Sequence, residues 1–205
     1  MKLQLSIATD VNPRTRPIID GQVKIDGVSL VHTPLHPSEM FWRQLKFGDF
    51  DISEMSFSSL IKAVSNGDTR WIGIPIFTTR HFFQNWILIR KDSGIRTPQD
   101  MRGKRVGVPE FQQTAAVWSR GILKHEFGVD QTEMEYFMER LPDTSHGGAT
   151  GFKIPEGVKL NQIPVEKNIG QMLLDDELDA TLLYLNNPNL VDRSSVDLAH
   201  HSNFA

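Results

Sequence analysis

Residues Thr97–Val129 read TPQDMRGKRVGVPEFQQTAAVWSRGILKHEFGV. A polar lead-in precedes a short apolar strand at Arg105–Val108, Pro109 ends that strand, and an amphipathic helix runs from Gln113 to Phe127. A strand that passes through a tight turn into a helix is typical of α/β proteins with parallel sheets. The free N–H groups and the dipole at such a helix start favour an anion.

The same alternation extends along the chain on both sides of this stretch. Strands are predicted at Lys2–Ala8, Val28–His32, Phe50–Met55, Trp71–Phe77, Trp86–Ile89, Tyr136–Glu139 and Val158–Ile163. Helices are predicted at Pro37–Phe47 and Ser58–Val64, and a helix, a turn and a strand at Lys167–Tyr184. The unbroken apolar run at Trp86–Ile89 is typical of a strand buried on both faces. The Gly-rich stretch Asp143–Gly157 lacks the spacing of a phosphate-binding loop, and we interpret it as a mobile connection.

These elements predict two α/β lobes with mostly parallel sheets and a ligand cleft between them. The first lobe is expected at residues 1–90 and the second at 91–185, followed by a crossover or tail at 186–205. Ligands of open α/β sheets lie beyond the carboxyl ends of the strands. Five segments are therefore expected to face the cleft: Thr9–Arg16, Glu54–Ser58, Thr78–His81, Pro109–Thr114 and the loop after Tyr184.

Composition excludes several classes of function. The chain has 205 residues, is 39% hydrophobic and carries a formal net charge of -3, so it offers no basic face for nucleic acid or for an anionic membrane. It contains no cysteine, which removes disulfides, thiolate metal sites and thiol nucleophiles. No signal peptide or membrane span is recognisable, which favours a cytoplasmic location unless a leader was trimmed.

Several motifs resemble the type II periplasmic-binding-protein fold. They are GQVKIDGVSLVH (Gly21–His32), FDISEMSFSSL (Phe50–Leu60) and LIRKDSGIRTPQDMRGKRVGVP (Leu88–Pro109). Four further segments are similar to the 4,5-dihydroxyphthalate decarboxylase family, an enzyme branch of this fold. They are the N-terminal Met1–Gly21, the Glu54-Met55-Ser56 segment, PIFTTRHFF (Pro75–Phe83) and PNLVDRS (Pro188–Ser194). The resemblance covers essentially the whole chain, but it implies a C-terminally truncated protein whose first lobe lacks part of its cover.

The resemblance implies a decarboxylase that removes one carboxylate from a dihydroxylated aromatic diacid without a cofactor. Such a reaction needs a donor that protonates the ring carbon, and the candidates are Glu54 and His81. Glu54 follows a buried strand, so desolvation would raise the pKa of its carboxyl, whereas a nearby arginine would lower it. His81 has a suitable intrinsic pKa. The alternatives are a structural ion pair for Glu54 and a core histidine for His81.

Carboxylate binding is expected from arginines and from the helix start. Arg14 and Arg16 follow the first strand, and Arg80 follows the apolar run Trp71–Phe77, which predicts a partly buried site for it. Gln112, Gln113 and Thr114 lie at the helix start, and Ser56 offers a hydroxyl after the third strand. The alternatives are solvated surface arginines and a helix that is merely capped.

A metal site is not expected. His32 and His36 are four residues apart, but Pro34 and Pro37 interrupt any helix there, so the two rings need not share a face. His146 is interpreted as a loop residue, and His200 and His201 as solvated tail residues.

Three functions stay open at this point. The first is a cofactor-independent decarboxylase that acts on a small aromatic carboxylate, and a homo-oligomer is compatible with it. The second is a solute-binding protein of a transporter that captures a small organic anion. The third is a non-catalytic ligand-binding remnant. The lack of an export signal favours the enzyme over the transport receptor.

Overall fold

The computed structural model describes residues 2–184, and this part of the chain forms two compact units. The first unit contains the residues up to Ser56 together with Trp71–Arg80, and the second contains Phe57–Arg70 and the residues from His81 onward. This division differs from the predicted boundary near residue 90, because the helix after Ser56 is bonded to elements of the second unit. The predicted tail at 186–205 and the PNLVDRS segment lie outside the described residues. Within residues 2–184, no helix is both long and apolar enough to cross a membrane.

The first unit is a small α/β layer. Its elements are β1 (Leu3–Thr9), α1 (Arg16–Ile19), β2 (Val28–Pro34), α2 (Pro37–Phe47) and β3 (Ile52–Ser53). The three strands are parallel in the order β2-β1-β3, so β1 is central. Ile7 lies opposite Ile52 in this register, which brings the carboxyl ends of β1 and β3 side by side.

Helix α2 matches its predicted bounds because the sequence marks both ends. His36 is the N-cap and Pro37 opens the first turn, where a missing N–H costs nothing. Gly48 ends the helix in the left-handed conformation, with a φ of 69°. On its inner face, Met40 packs with Ala8 and Leu35 in the core of this unit.

The prediction of a strand at Trp71–Phe77 is wrong. The segment forms no strand, and Ile72 is 91% exposed. Gly73 and Pro75 interrupt it, and proline cannot donate a hydrogen bond to a strand ladder. The expectation that Arg80 is partly buried is also wrong, since Arg80 and Phe77 are both exposed.

The second unit has a five-stranded sheet with helices around it. Its elements are α3 (Phe57–Ser65), β4 (Leu88–Ile89), β5 (Arg105–Val108), α4 (Thr114–Phe127), β6 (Glu135–Met138), α5 (His146–Thr150), β7 (Lys159–Gln162), α6 (Ile169–Leu174) and β8 (Ala180–Thr181). Short 3-10 helices lie at Phe83–Trp86, Pro98–Met101, Gln131–Glu133 and Pro142–Thr144. The strand order is β4-β8-β5-β6-β7, and every pair except β4 with β8 is parallel. The predicted α/β class with mostly parallel sheets is confirmed.

The core of the second unit surrounds β5. Val106 and Val108 are fully buried, and they belong to one apolar cluster with Tyr136 of β6 and Leu123 of α4. Strand β4 lies at the sheet edge, where Leu88 and Ile89 are each 47% exposed. The prediction that this apolar run is buried on both faces is therefore wrong, since length and apolarity alone do not distinguish an edge strand from a central one.

The Gly-rich stretch Asp143–Gly157 is an ordered part of the second unit, so its interpretation as a mobile connection is wrong. It contains α5, whose N-cap Ser145 accepts a hydrogen bond at its Oγ from the Gly148 N–H at 2.8 Å. A Cβ at position 148 would collide with the Pro142 carbonyl oxygen, so glycine is required there. His146 is 3% exposed and thus lies in the interior.

Candidate functional site

In the first unit, two acidic residues follow neighbouring strands. Asp10 comes directly after β1, and Glu54 comes directly after β3. The Glu54 N–H donates to the Ala8 carbonyl at 3.1 Å, which extends the ladder between these strands by one step. The pairing of β1 with β3 therefore places Asp10 and Glu54 at the same edge of the sheet, where α/β proteins bind ligands.

The loop after β1 holds Asp10 in place through its own hydrogen bonds. The Thr15 hydroxyl donates to the Asp10 carbonyl at 2.6 Å and accepts from the Asn12 N–H at 3.0 Å. The Asn12 side chain in turn accepts from the Arg14 N–H at 2.9 Å. Side chains of Asn and Thr form such local turns readily, so much of the sequence DVNPRT is held by hydrogen bonds within the loop itself.

Glu54 is the most strongly perturbed acid of the first unit. Burial and, to a lesser extent, the negative charge of Asp10 raise the pKa of its carboxyl, which is about 7. Hydrogen bonds from the Thr78 hydroxyl and from the Asp10 N–H act in the opposite direction. Among the described residues, its Oε1 is buried and has no hydrogen-bond partner. A carboxyl in this environment is protonated at neutral pH to a large extent and has one oxygen available for a ligand.

The arginines of the first unit lie in different surroundings. Arg14 is exposed and donates from Nη1 to the Thr78 carbonyl at 3.1 Å, so it supports the residue that bonds Glu54. Arg16 is exposed in α1 and lies 3.9 Å from Asp20. Arg80 is exposed, and its guanidinium carbon lies 5.8 Å from the centroid of the Phe77 ring. The structure therefore links Arg14 to Glu54 through Thr78, whereas the contacts of Arg16 and Arg80 are separate.

A surface pocket of ≈ 460 Å³ lies on the loop that follows Asp10. Its lining consists of Val11, Asn12, Pro13, Arg16 and Pro17. A pocket of this size falls in the range that holds small organic ligands. Among these lining residues, Arg16 carries a positive charge. The remaining predicted residue of this unit, Ser56, is 5% exposed and lies just after Glu54.

In the second unit, three of the predicted residues lie together at the start of α4. Gln113 is the N-cap, but its side chain makes no capping hydrogen bond, and Thr114 is the first helical residue. Gln113 is 9% exposed, and its Nε2 has no hydrogen-bond partner in the described part of the chain. The first N–H groups of an α-helix lack partners within the helix. The helix start therefore presents backbone donors beside an amide donor that is buried and unused.

Gln112 fixes the turn that precedes α4. Its Oε1 accepts from the Thr150 hydroxyl of α5 at 2.8 Å. The Ser58 hydroxyl of α3 donates to the Gln112 carbonyl at 2.6 Å, and the Ser58 N–H donates to the Thr114 Oγ1 at 3.1 Å. The turn is thus held from α3 on one side and from α5 on the other, which makes it a preorganised part of the second unit.

A buried cation supports the same turn. The Arg120 guanidinium lies 3.7 Å from the centroid of the Phe111 ring, and its Nη1 donates to the Phe111 carbonyl at 2.9 Å. Burial lowers the pKa of Arg120 to about 10, which still leaves the side chain charged at neutral pH. A positive charge in the interior beside this turn favours a bound anion electrostatically.

Glu110, in the turn after β5, is part of a buried polar network. It is 1% exposed, and its Oε2 accepts from the His146 N–H at 3.1 Å. The backbone N–H groups of Gln112 and Gly147 also bond this carboxyl. Arg140 Nη1 lies 3.1 Å from His146 Nε2, and its charge acts on Glu110. Burial raises the pKa of Glu110, whereas Arg140 and the backbone donors oppose that shift.

The described histidines lie in separate surroundings. His81 is exposed in the second unit. The centroid of its ring lies 5.0 Å from that of Trp86 and 6.3 Å from that of Phe83. His32 Nε2 lies 2.8 Å from the Thr9 hydroxyl, and His36 Nδ1 accepts from the Ser38 N–H as the cap of α2. Within residues 2–184, no three His, Cys, Asp or Glu side chains are grouped closely enough to hold a metal ion.

Sequence reasoning placed Asp10, Thr78 and Glu110 in segments expected to face a ligand but gave none of them a role. It missed Arg140 and His146, which complete the network of Glu110. One signal was present, because Glu110 and Arg140 both follow parallel strands at the edge where ligands bind. The bond of Thr78 to Glu54 joins segments that are far apart in the sequence, so no local pattern indicates that particular contact.

Comparison with known families defines the class of the protein. Residues 69–180 match the family model described as NMT1/THI5 like, which is more than half of the chain. Two solved structures align at low identity. The alkanesulfonate-binding protein SsuA from Xanthomonas axonopodis pv. citri, bound to MOPS, is 11% identical at a TM-score of 0.48, covering 89% of this chain and 54% of that protein. The periplasmic aliphatic sulphonate binding protein SsuA from Escherichia coli is 13% identical at a TM-score of 0.48, covering 88% and 54%.

Two curated relatives are much more similar. Both are 4,5-dihydroxyphthalate decarboxylases that align over 181 residues, or 88% of this chain. The protein from Comamonas testosteroni is 40% identical and that from Pseudomonas putida is 36% identical. The chain therefore belongs to the 4,5-dihydroxyphthalate decarboxylase family, and the resemblance inferred from its motifs is confirmed. It spans 55% of the length of the first relative and 70% of the second.

Proposed function

We propose that the protein decarboxylates a dihydroxylated aromatic dicarboxylate without a cofactor, converting 4,5-dihydroxyphthalate to 3,4-dihydroxybenzoate and carbon dioxide. Two curated relatives at 36–40% identity carry the name of this activity. The observation in the chain itself that carries the proposal is Glu54. It is a half-buried carboxyl with a pKa raised to about 7 and with one buried oxygen that has no hydrogen-bond partner among the described residues.

In the proposed reaction, Glu54 donates its proton to the ring carbon that bears the departing carboxylate. The bond between that carbon and the carboxylate then breaks, its electron pair returns to the ring, and carbon dioxide leaves. The Glu54 carboxylate takes a proton from water, so that each turnover consumes one proton. An acid with a pKa near the working pH suits this task, because it is both protonated and a strong enough donor.

Asp10 and Thr78 adjust Glu54 for this role in opposite directions. The charge of Asp10 disfavours ionisation of Glu54, whereas the Thr78 hydroxyl stabilises the carboxylate that is left after proton transfer. Arg14, bonded to the Thr78 carbonyl, holds this arrangement in place. Arg16 and the pocket after Asp10 provide a cation and a space in the range that holds small organic ligands.

In the second unit, taken by itself, we propose the start of α4 as a site for a small carboxylate. Its first-turn N–H groups, the unused amide of Gln113 and the buried Arg120 charge all favour an anion. Helix starts bind anions wherever such donors converge, so this part of the proposal concerns the class of ligand and leaves its ring substituents open.

The test is to incubate the 205-residue chain with 4,5-dihydroxyphthalate and to follow carbon dioxide and 3,4-dihydroxybenzoate. The wild-type chain should release both in equal amounts. Glu54→Gln should lower kcat by about 10²-fold or more while it leaves binding within a few-fold, because an amide cannot donate the proton. Glu166→Gln, which alters an exposed carboxyl, serves as the control and should keep the wild-type rate.

His81→Asn tests the alternative that His81 is the proton donor. If His81 and not Glu54 donates the proton, His81→Asn loses the rate and Glu54→Gln keeps it. Full activity in both variants would contradict the assignment of the chemistry to these two residues.

Capture of a small organic anion without chemistry is the second candidate. The start of α4 favours it, since an anion-binding helix start serves a solute-binding protein as well as an enzyme. Tight binding of 4,5-dihydroxyphthalate with no release of carbon dioxide would favour this function over the decarboxylase.

A further inference from the structure

We propose that Glu110 is a positioning residue, whose carboxylate acts as an internal anion that fixes the start of α4 for a ligand's carboxylate. This inference rests on the proposed function, because it assumes that the start of α4 binds an anion. Glu110 is three residues before the N-cap of α4, and 1% exposure removes it from direct contact with solvent.

The geometry explains why a carboxylate is needed at this position. Glu110 accepts backbone hydrogen bonds from Gln112 in its own turn and from His146 and Gly147 at the start of α5. It thereby ties the loop after β5 to the loop after β6. The three donors converge on one side chain, as they would on a bound anion.

Occupation of the α5 start has a consequence for ligand binding. Because Glu110 already uses the N–H groups of His146 and Gly147, these donors do not compete for the ligand's carboxylate. The donors that remain for an incoming carboxylate are the backbone N–H groups of Ala115 and Ala116 in the first turn of α4. Glu110 therefore leaves the start of α4 as the anion-binding part of this turn.

The connection from Glu110 to α4 is short. The Gln113 N–H donates to the Glu110 carbonyl at 3.3 Å, so the two residues close one turn. Within this turn, Gln112 bonds Thr150 through its side chain and Ser58 through its carbonyl. A displacement of Glu110 would move Gln113 and the first turn of α4, and small displacements of binding groups weaken binding substantially.

The experiment compares Glu110→Gln with Glu139→Gln in the full chain. Glu139 is a matched control because it is also buried, at 6% exposure, also accepts a backbone hydrogen bond, from the Ile169 N–H at 3.1 Å, and also feels the charge of Arg140. Both variants place an amide where a carboxylate accepted from backbone donors, so both are expected to lose stability. Only Glu110 is bonded to the turn before α4.

Two readouts separate positioning from stability, and both are measured under conditions where each variant is folded. Amide hydrogen exchange at residues 110–116 and 146–150 should rise by about tenfold or more in Glu110→Gln and stay near wild type in Glu139→Gln. Calorimetric affinity for 4,5-dihydroxyphthalate should fall by about 10- to 100-fold in Glu110→Gln and should not fall in Glu139→Gln. Glu110→Asp, which retains the charge on a shorter side chain, should recover part of the affinity.

Unchanged exchange in Glu110→Gln would overturn the inference, and so would equal losses of affinity in the two variants. If the wild-type chain does not bind the dicarboxylate at all, the proposed function fails. The exchange data then still decide whether Glu110 positions the start of α4.

Discussion

Glu54 in the first unit is a half-buried carboxyl and Glu110 in the second is a buried one. Both lie at the carboxyl end of a parallel strand, yet their surroundings differ. Glu110 is bonded by three backbone N–H groups and attracted by Arg140, whereas one oxygen of Glu54 has no partner among the described residues. Burial raises the pKa of both. The difference shows how the same residue type serves two purposes, since a fully bonded carboxyl organises the backbone and a partly bonded one remains available for chemistry.

The largest expected effect is an opposite change in stability. At pH 8, Glu110→Gln should destabilise the chain by about 2–4 kcal/mol, because an amide NH₂ would face backbone donors and Arg140 would lose its counter-charge. Glu54→Gln should stabilise it by about 1–3 kcal/mol at the same pH, because it removes a charge that the folded state disfavours. Denaturant unfolding measures both values, and the same sign for the two variants would remove the distinction between the carboxyls.

The pH dependence of stability follows from Glu54. Its folded-state pKa is raised from 4.5 to about 7, so between these values the folded state holds more protons than the unfolded state. The contribution of this group to the free energy of unfolding is therefore fully present below pH 4.5 and decreases as the pH rises to about 7. The difference between the free energies of unfolding of wild type and Glu54→Gln, measured at each pH, should isolate this decrease. A flat difference over this range would indicate that Glu54 has an ordinary pKa.

Two variants beside Glu54 should shift the pH profile of kcat in opposite directions. Thr78→Val removes a hydrogen bond that stabilises the carboxylate, so the midpoint should rise by about half a pH unit to one unit. Asp10→Asn removes a nearby negative charge, so the midpoint should fall by a similar amount. Thr79→Val, at the exposed neighbouring threonine, is the control and should leave the midpoint unchanged. Shifts of the same sign in the first two variants would show that they act through the fold.

The smallest expected effect concerns the start of α4. Gln113→Leu should change the stability of the unliganded chain by less than about 1 kcal/mol, because the amide nitrogen that it removes has no partner among the described residues. The same variant should weaken dicarboxylate binding by about 5- to 10-fold, which corresponds to one lost hydrogen bond to a charged group.

Ser119→Ala is a matched control for Gln113→Leu. The Ser119 Oγ is likewise buried without a partner among the described residues, but it lies farther along α4. This variant should affect neither stability nor affinity by much. Equal affinities for Gln113→Leu and Ser119→Ala would argue against a ligand at the helix start.

Much of the fold could be predicted because its signals are local. Pro37 and Gly48 mark the ends of α2, and the passage from Arg105–Val108 through Pro109 into a helix fixes β5 and α4. The failures concern apolar segments whose state depends on neighbouring strands. Trp71–Phe77 has the composition of a strand but pairs with none in the described part of the chain, and the apolar residues of β4 lie at an edge.

The candidate site was only partly predictable for a related reason. Glu54 could be found because it directly follows a predicted strand, although that strand is only two residues long and half-buried. Its partners could not, because the contacts with Asp10 and Thr78 depend on the pairing of distant segments. His146 was misjudged because the glycines around it indicate flexibility, whereas Ser145 caps a helix there and the ring is buried.

The pKa of Glu54 tests the account most directly. The 205-residue chain can be labelled with ¹³C at its glutamate carboxyls, and the Glu54 signal can be assigned by its loss in Glu54→Gln. We predict a titration midpoint of about 7 for this signal. A midpoint near the ordinary value of 4.5 would mean that Glu54 is ionised at neutral pH, and it would contradict its role as the proton donor.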